Sequence, residues 1–416
     1  MIIDSLNYNG MCSCGKEHTM QTELSVVERG CLKKIDFYLE KYGISGTRVA
    51  VYDENTYKAT ADRHPSCELE VILDPRGLHA NEHGVDAFMK KLDEYGGKVG
   101  VLLAIGSGTI HDITRYCAYK LGVDFVSCPT AASVDGFCSS VAAMTWHGFK
   151  KTLTAVAPRL VLADIDVIMN APIELARSGF GDLIGKYVSL SDWRISHVLT
   201  GEYYCERIAD MTMQATREAL DSAEGIIRHD EAAYEKLTYG LLLSGLAMQM
   251  IGNSRPASGA EHHISHLIEI EPEQLGAHSD ALHGEKVGVG TLLVIEEYKR
   301  LAERKDIAFS DYKQLPECEM CEFFGKDLYD EIAKENENNV AVGVSAEMLR
   351  RGWDKVCEII REIPETERLK SVYAHIGVKL TLADIDIPED VATALLKYSP
   401  LVRNRLTLMR LAGCFG

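Results

Sequence analysis

The chain has 416 residues, 46% apolar and 25% charged, a balance typical of a globular protein long enough to form two domains. Its 44 basic and 62 acidic residues give a net charge of −18. That argues against nucleic acid or an anionic membrane as a partner, because both are held by basic surfaces. A small anionic substrate remains compatible with a local basic pocket. The opening MIIDSLNYNGMCSCGKEH lacks the basic and apolar regions of a signal peptide. No apolar run approaches a spanning length, so a cytoplasmic protein is expected.

In chain order, the first feature is a C-x-C-x-x-x-H group, Cys12, Cys14 and His18. A second cysteine pair, Cys318 and Cys321, forms C-x-x-C. Neither group has a second half at zinc-site spacing. The reading is free thiols in loops, with a structural zinc joining the two groups as the alternative. The other cysteines are expected to be reduced and largely in the core.

From about residue 48 the pattern alternates between strand and helix. Arg48–Asp53, Glu70–Asp74, Gly100–Ile105, Asp124–Cys128 and Leu160–Asp164 read as strands, and Thr109–Leu121 reads as a helix. Continuous apolar runs such as Val101–Ile105 suit strands buried on both faces of a parallel sheet. After about residue 170 strand patterns nearly vanish. Ala171-Pro172 suits a helix start, and long helices are expected over 203–225, 231–251, 259–270, 284–304, 346–363 and 389–399. The expected division is an α/β Rossmann-like domain over 1–170 and an all-α domain over 171–416, with no repeat or low-complexity linker.

AIGSGTIHD follows a strand and opens a helix. Glycines there allow close backbone approach, and the helix start offers unpaired N–H groups to a diphosphate. His111 stands where G-x-G-x-x-G has its third glycine. Asp53, ending an earlier strand, could accept from a ribose, which favours NAD over NADP. Its competing reading is an ordinary turn residue.

SGAEHHISH (258–266) and HSDALHGEK (278–286) hold five of the fourteen histidines. On a helix His262 and His266 are i and i+4 and share a face. They can sit on one metal, or one on metal and one on substrate. His263 points about 100° away. The pattern is not H-E-x-x-H, so a zinc-protease reading is poor. An open catalytic metal site suits two histidines and a carboxylate, and Asp182 in SGFGDLIGK is a candidate for the latter.

GSGTIHD, PTAASVDGFCSS, SGFGDLIGKY, SGAEHHISH and ALHGEKVGVGT occur in this order. The set, spanning roughly Val49 to Gly290, resembles the glycerol-1-phosphate dehydrogenases, in particular their bacterial branch. That family belongs to the superfamily of iron-containing alcohol dehydrogenases, glycerol dehydrogenases and dehydroquinate synthases. The resemblance implies a dehydroquinate synthase-like fold with its active site in the interdomain cleft. It also implies NAD(P)H-dependent interconversion of dihydroxyacetone phosphate and sn-glycerol 1-phosphate, aided by one divalent metal as Lewis acid.

By the same resemblance, Asp182, His262 and His283 are the metal ligands, with His278 the runner-up to His283. His266 and Asp182 are catalytic and, with Asp135, face substrate. Gly106, Ser107, Gly108, Thr109 and Asp112 cradle the cofactor diphosphate, and Thr130, Ser133 and Ser139 contact the cofactor. Zinc or nickel is expected, with iron third; histidine and carboxylate suit all three. Arg255, Lys186, Lys150 and Lys151 are candidates for the substrate phosphate. A homodimer is the default assembly. Glycerol dehydrogenase on unphosphorylated glycerol is the nearest rival, followed by dehydroquinate synthase. A non-catalytic metal-binding protein is the rival of another class.

Overall fold

The computed structural model describes residues 1–146 and 149–416. It forms two compact units. One comprises Met1–Gly179 with Glu218–Asn253, the other Phe180–Arg217 with Ser254–Gly416.

The first unit is built on a seven-stranded sheet. Its strands are β1 (Ile2–Asp4), β2 (Leu24–Glu28), β3 (Arg48–Asp53), β4 (Leu69–Leu73), β5 (Val101–Gly106), β6 (Asp124–Pro129) and β7 (Leu160–Asp164), in spatial order β1-β2-β7-β6-β5-β3-β4. Only β1 is antiparallel to its neighbour. Successive side chains alternate faces. Val101, Leu103 and Ile105 pack into one core with Leu39 and Leu162, while Leu102 and Ala104 pack into the other with Phe88, Ile110 and Ile113. Both faces are covered, which is why these strands read as unbroken apolar runs.

From β3 the chain steps outward to β4 and then returns to the other side of β3 as β5. This is a topological switch point, where open α/β sheets bind ligands at the strands' carboxyl ends. Val51 pairs with Ala104 there, and the same register carries Asp53 alongside Gly106.

Elements of this unit that were not foreseen include β1 and β2, the small hairpin Gly10–Met11 with Glu17–His18, the helices Ile35–Lys41, Glu54–Ala59 and Glu82–Tyr95, and the hairpin Val141–Trp146 with Phe149–Thr154. The helix Glu231–Ile251 has the expected bounds, yet by its contacts it belongs with the sheet rather than with the other helices. It packs on β2 and on the turn Gly136–Cys138. Tyr234, Leu237, Leu241, Leu242, Leu243 and Leu246 are all buried, so this helix is apolar on most sides and can be covered only as an interior element.

The second unit is helical. Its frame includes Lys186–Thr200, Ala260–Ile270, His283–Ala302, Ala346–Arg361 and Thr366–Ile376. Ala260–Ile270 and His283–Ala302 pack against each other, and the latter also meets Ala346–Arg361 and Thr366–Ile376. The helix expected over 203–225 is interrupted after Asp221: Glu206–Asp221 gives way at Ser222 to a short helix, Ala223–Ile227, which belongs to the first unit. The segment expected as a helix over 389–399 is a 3-10 turn, Glu389–Val391, leading into Ala392–Tyr398.

Candidate functional site

Asp182 lies near the end of the helix Ile173–Ile184. Gly181 brings this helix close to His283–Ala302: a Cβ at 181 would lie 2.3 Å from the Gly284 carbonyl oxygen. The neighbouring carboxylate is thereby brought to the start of the second helix, whose first residue is His283. His262 comes from the first turn of Ala260–Ile270, whose Ala260 N–H donates to Asp192 Oδ2 at 2.9 Å. Asp182, His262 and His283 converge, with one potential ligand atom from each lying within 4.8 Å of the others.

The orientation of both imidazoles is fixed from behind. His262 Nδ1 donates to Glu261 Oε1 at 2.7 Å, and His283 Nδ1 to Glu269 Oε1 at 3.0 Å. Each carboxylate selects the Nδ1–H tautomer and turns Nε2 toward the centre. His262 Nε2 lies 3.4 Å from Asp182 Oδ1. A carboxylate oxygen and two Nε2 atoms are hard and borderline donors that suit a divalent transition metal with open positions. The residues present therefore fit the metal implied by the sequence.

Asp182 and Lys186 are both fully buried, and Lys186 Nζ donates to Asp182 Oδ1 and to the Ala257 carbonyl, each at 2.9 Å. Burial raises the Asp182 carboxyl, but the Lys186 charge and then His262 and His283 outweigh it and hold the group ionised. For His262 in the metal-free chain, burial and Lys186 act downward, while Asp182 and Glu261 hold the imidazole up at about 9, so a binding metal has to displace the Nε2 proton.

His266 shares the site, its ring 6.1 Å from His262 and 6.0 Å from His283. Its Nδ1 has no hydrogen-bond partner among the described residues, so no carboxylate is bonded to it there. Burial, with Arg403 and the other histidines adding to it, outweighs the upward pull of Glu269 and keeps it neutral. His278 is exposed and pairs with Glu271 and Asp280, so it is not part of this group.

Two cation candidates are corrected. Lys186 is a buried partner of Asp182 rather than a phosphate ligand. Arg255 is buried and forked onto both oxygens of Glu202, with its third nitrogen on the Leu406 carbonyl. Its donors hold the fold. Lys151 is exposed on the hairpin strand, and the side chain of Lys150 lies outside the described part. Arg403, half-buried in the C-terminal SPLVRNR segment, is the cation whose charge acts on His266. Sequence reasoning passed over it.

In the other unit, Gly106 ends β5, Ser107 caps the helix Gly108–Leu121 without a side-chain bond, and His111 N–H makes the first bond back to Ser107. The N–H groups of Gly108, Thr109 and Ile110 thus precede the helical ladder. A Cβ at 106 would collide with Ile110. His111 is buried, with Nδ1 on the Ser107 carbonyl at 2.8 Å. Burial and the nearby Arg115 charge lower it to about 3, so a neutral imidazole fills the third-glycine position.

Thr130 N–H donates to the Gly106 carbonyl at 3.1 Å, bringing the segment after β6 beside the turn. Ser133 and Asp135 are buried there, the Ser133 carbonyl accepting from Ser178 and Asp135 Oδ2 from Ser244. The Ser139 hydroxyl bonds the backbone of Val141. Asp112 faces Arg115 at 3.5 Å. Asp53 caps the helix Glu54–Ala59 by accepting from Asn55 and Thr56, both on Oδ1.

This arrangement, an α/β sheet whose glycine turn opens a helix and, in the helical unit, a carboxylate–histidine group, is that of the iron-containing alcohol dehydrogenase class. A family model of that description matches residues 26–172. Among solved structures, a probable glycerol dehydrogenase from Sinorhizobium meliloti superposes with a TM-score of 0.55 at 20% identity. The match covers 91% of this chain and 98% of that one, a likeness of fold. Among relatives, the glycerol-1-phosphate dehydrogenase [NAD(P)+] of Bacillus licheniformis is 30% identical across 98% of this chain and 93% of its own length. That of Geobacillus thermodenitrificans is 36% identical across 96% and 94%. The chain belongs to the glycerol-1-phosphate dehydrogenase family.

Proposed function

We propose that this chain interconverts dihydroxyacetone phosphate and sn-glycerol 1-phosphate with NAD(P)(H), using one zinc or nickel ion held by Asp182, His262 and His283. The observation that carries the reading is the convergence of these three side chains in a chain similar over nearly its whole length to enzymes of that name. A metal held there would polarise the C2 oxygen of the substrate as a Lewis acid, and the nicotinamide would supply or accept the hydride.

The chain's own residues do the rest. Glu261 and Glu269 keep two imidazole lone pairs directed inward, and Lys186 keeps Asp182 ionised. His266, neutral and with an unpaired Nδ1, is placed to pass a proton to or from the substrate oxygen. Arg403 is the cation we assign to the substrate phosphate. The amides of Gly108 and Thr109 receive the dinucleotide diphosphate. Gly108 itself is under no steric demand from the protein, since a Cβ there would make only a 3.6 Å contact. That supports a glycine kept for an approaching ligand. Asp53 Oδ2, the oxygen not used in the cap, suits a ribose hydroxyl. No helix among the described residues is long and apolar enough to cross a membrane; a cytoplasmic homodimer remains part of the proposal.

The test is NADH oxidation by metal-stripped protein with dihydroxyacetone phosphate, adding back zinc, nickel or iron singly. Metal-dependent oxidation yielding sn-glycerol 1-phosphate is expected. Reaction of glycerol with NAD⁺ and none of the phosphorylated substrate makes the chain a glycerol dehydrogenase. Silence in both assays despite bound metal overturns the catalytic reading.

A further inference from the structure

The N-terminal hairpin carries a second donor set. Strands Gly10–Met11 and Glu17–His18 pair antiparallel, with Gly10 opposite His18. The turn between them is closed by Cys12 N–H on the Lys16 carbonyl at 2.9 Å and Gly15 N–H on the Cys12 carbonyl at 3.0 Å. This turn gathers the thiols of Cys12 and Cys14 with the His18 imidazole, the donor atoms lying within 4.8 Å of one another. Cys14 Sγ is 3.2 Å from His18 Nε2. A tetrahedral zinc sets its sulfur and nitrogen donors on the order of 3.5–3.8 Å apart, so a small adjustment brings these three donors to zinc-binding distances.

Two further observations point the same way. His18 Nδ1 donates to the Met250 carbonyl at 2.9 Å, which fixes the tautomer and leaves the Nε2 lone pair toward the sulfur. Met250 lies in the last turn of the helix Glu231–Ile251, whose carbonyl end carries partial negative charge and favours a cation. His18 and Cys12 are buried, unlike the exposed side chains of a surface trap.

We infer that Cys12, Cys14 and His18 hold a structural zinc ion, distinct from the metal of the carboxylate–histidine site. Its role follows from what adjoins it. Gln249 accepts from the N–H groups of Gln21 and Thr22, and its amide donates to Thr22 Oγ1 and to the Cys138 carbonyl. The zinc fastens the hairpin to the end of this helix, beside the segment that carries Ser133, Asp135 and Ser139.

The test uses the full chain with zinc and cobalt(II) as probes. Zinc analysis of the wild type is expected to give two equivalents. His262→Ala keeps one, and Cys14→Ser combined with His18→Ala keeps the other. In His262→Ala, cobalt(II) is expected to give a thiolate-to-cobalt charge-transfer band in the near ultraviolet. The carboxylate–histidine site, having no sulfur, cannot produce that band, and the measurement leaves the hairpin intact. X-ray absorption of the same variant should show at least two sulfur ligands and one nitrogen. The inference is overturned if cobalt gives no such band and Cys12 and Cys14 alkylate equally fast before and after chelation.

Discussion

Glu261 accepts the Nδ1 hydrogen of His262 across 2.7 Å, so two residues adjacent in sequence form one carboxylate–imidazole unit. The same Oε1 accepts the N–H of Gly259 at 2.9 Å, which ties the unit to the start of its helix. A carboxylate behind a ligating imidazole orients the ring and raises its basicity, and losing such a partner costs about 10–100-fold in metal affinity. Glu261→Gln is therefore expected to bind zinc about 10–100-fold more weakly in chelator competition. Unchanged affinity would make the pair a packing contact.

His283 and His266 have similar surroundings, yet only His283 has a carboxylate on its Nδ1. His283→Ala should lose both metal and activity. His266→Ala should retain one metal at this site while kcat/KM falls about 100-fold or more, the usual range for a lost proton donor. Metal analysis alongside steady-state kinetics separates the two. Loss of metal from His266→Ala would put that residue among the ligands.

Much of the first unit was legible because its strands are buried on both faces and so appear as unbroken apolar runs; Val101–Ile105 is the clearest. β2 was missed because Leu24–Glu28 is short and mixes in Ser25. At the site, the i, i+4 spacing gave His262 and His266 directly, while Asp182 and His283 came from ordered motifs rather than from any period. Lys186 was misread because lysine is almost never fully buried unless paired, and only the packing around Asp182 shows that it is. Glu269 stands fourteen positions from His283, a pairing with no sequence signal, whereas Glu261 directly precedes His262 and could have been suspected.

The Lys186–Asp182 pair carries its own prediction. Both groups are fully buried. Removing one charge strands the other, at a cost of about 3–5 kcal/mol. Lys186→Met is expected to lose about that much stability in urea unfolding of the metal-free protein. Saturating zinc should recover part of the loss, because the ion then compensates the Asp182 charge. An equal loss with and without zinc would mean that Asp182 does not meet the metal.

Asp192 sets a pH dependence at the base of the same helix. Burial raises its carboxyl to about 7 and nearby Glu261 adds to this; donors from Leu408, Tyr298 and Ala260 offset only part of the effect. The folded state thus holds this proton more tightly than the unfolded chain. Its contribution to stability is complete below the ordinary carboxyl value and is lost as pH rises through about 7. The Tm of metal-free protein is expected to fall between pH 6 and pH 8. Asp192→Asn, uncharged throughout, should flatten that slope even though its amide cannot match all three donors and lowers Tm at both pH values. If the variant keeps the wild-type slope, Asp192 is ionised throughout and the pH dependence must arise elsewhere in the chain.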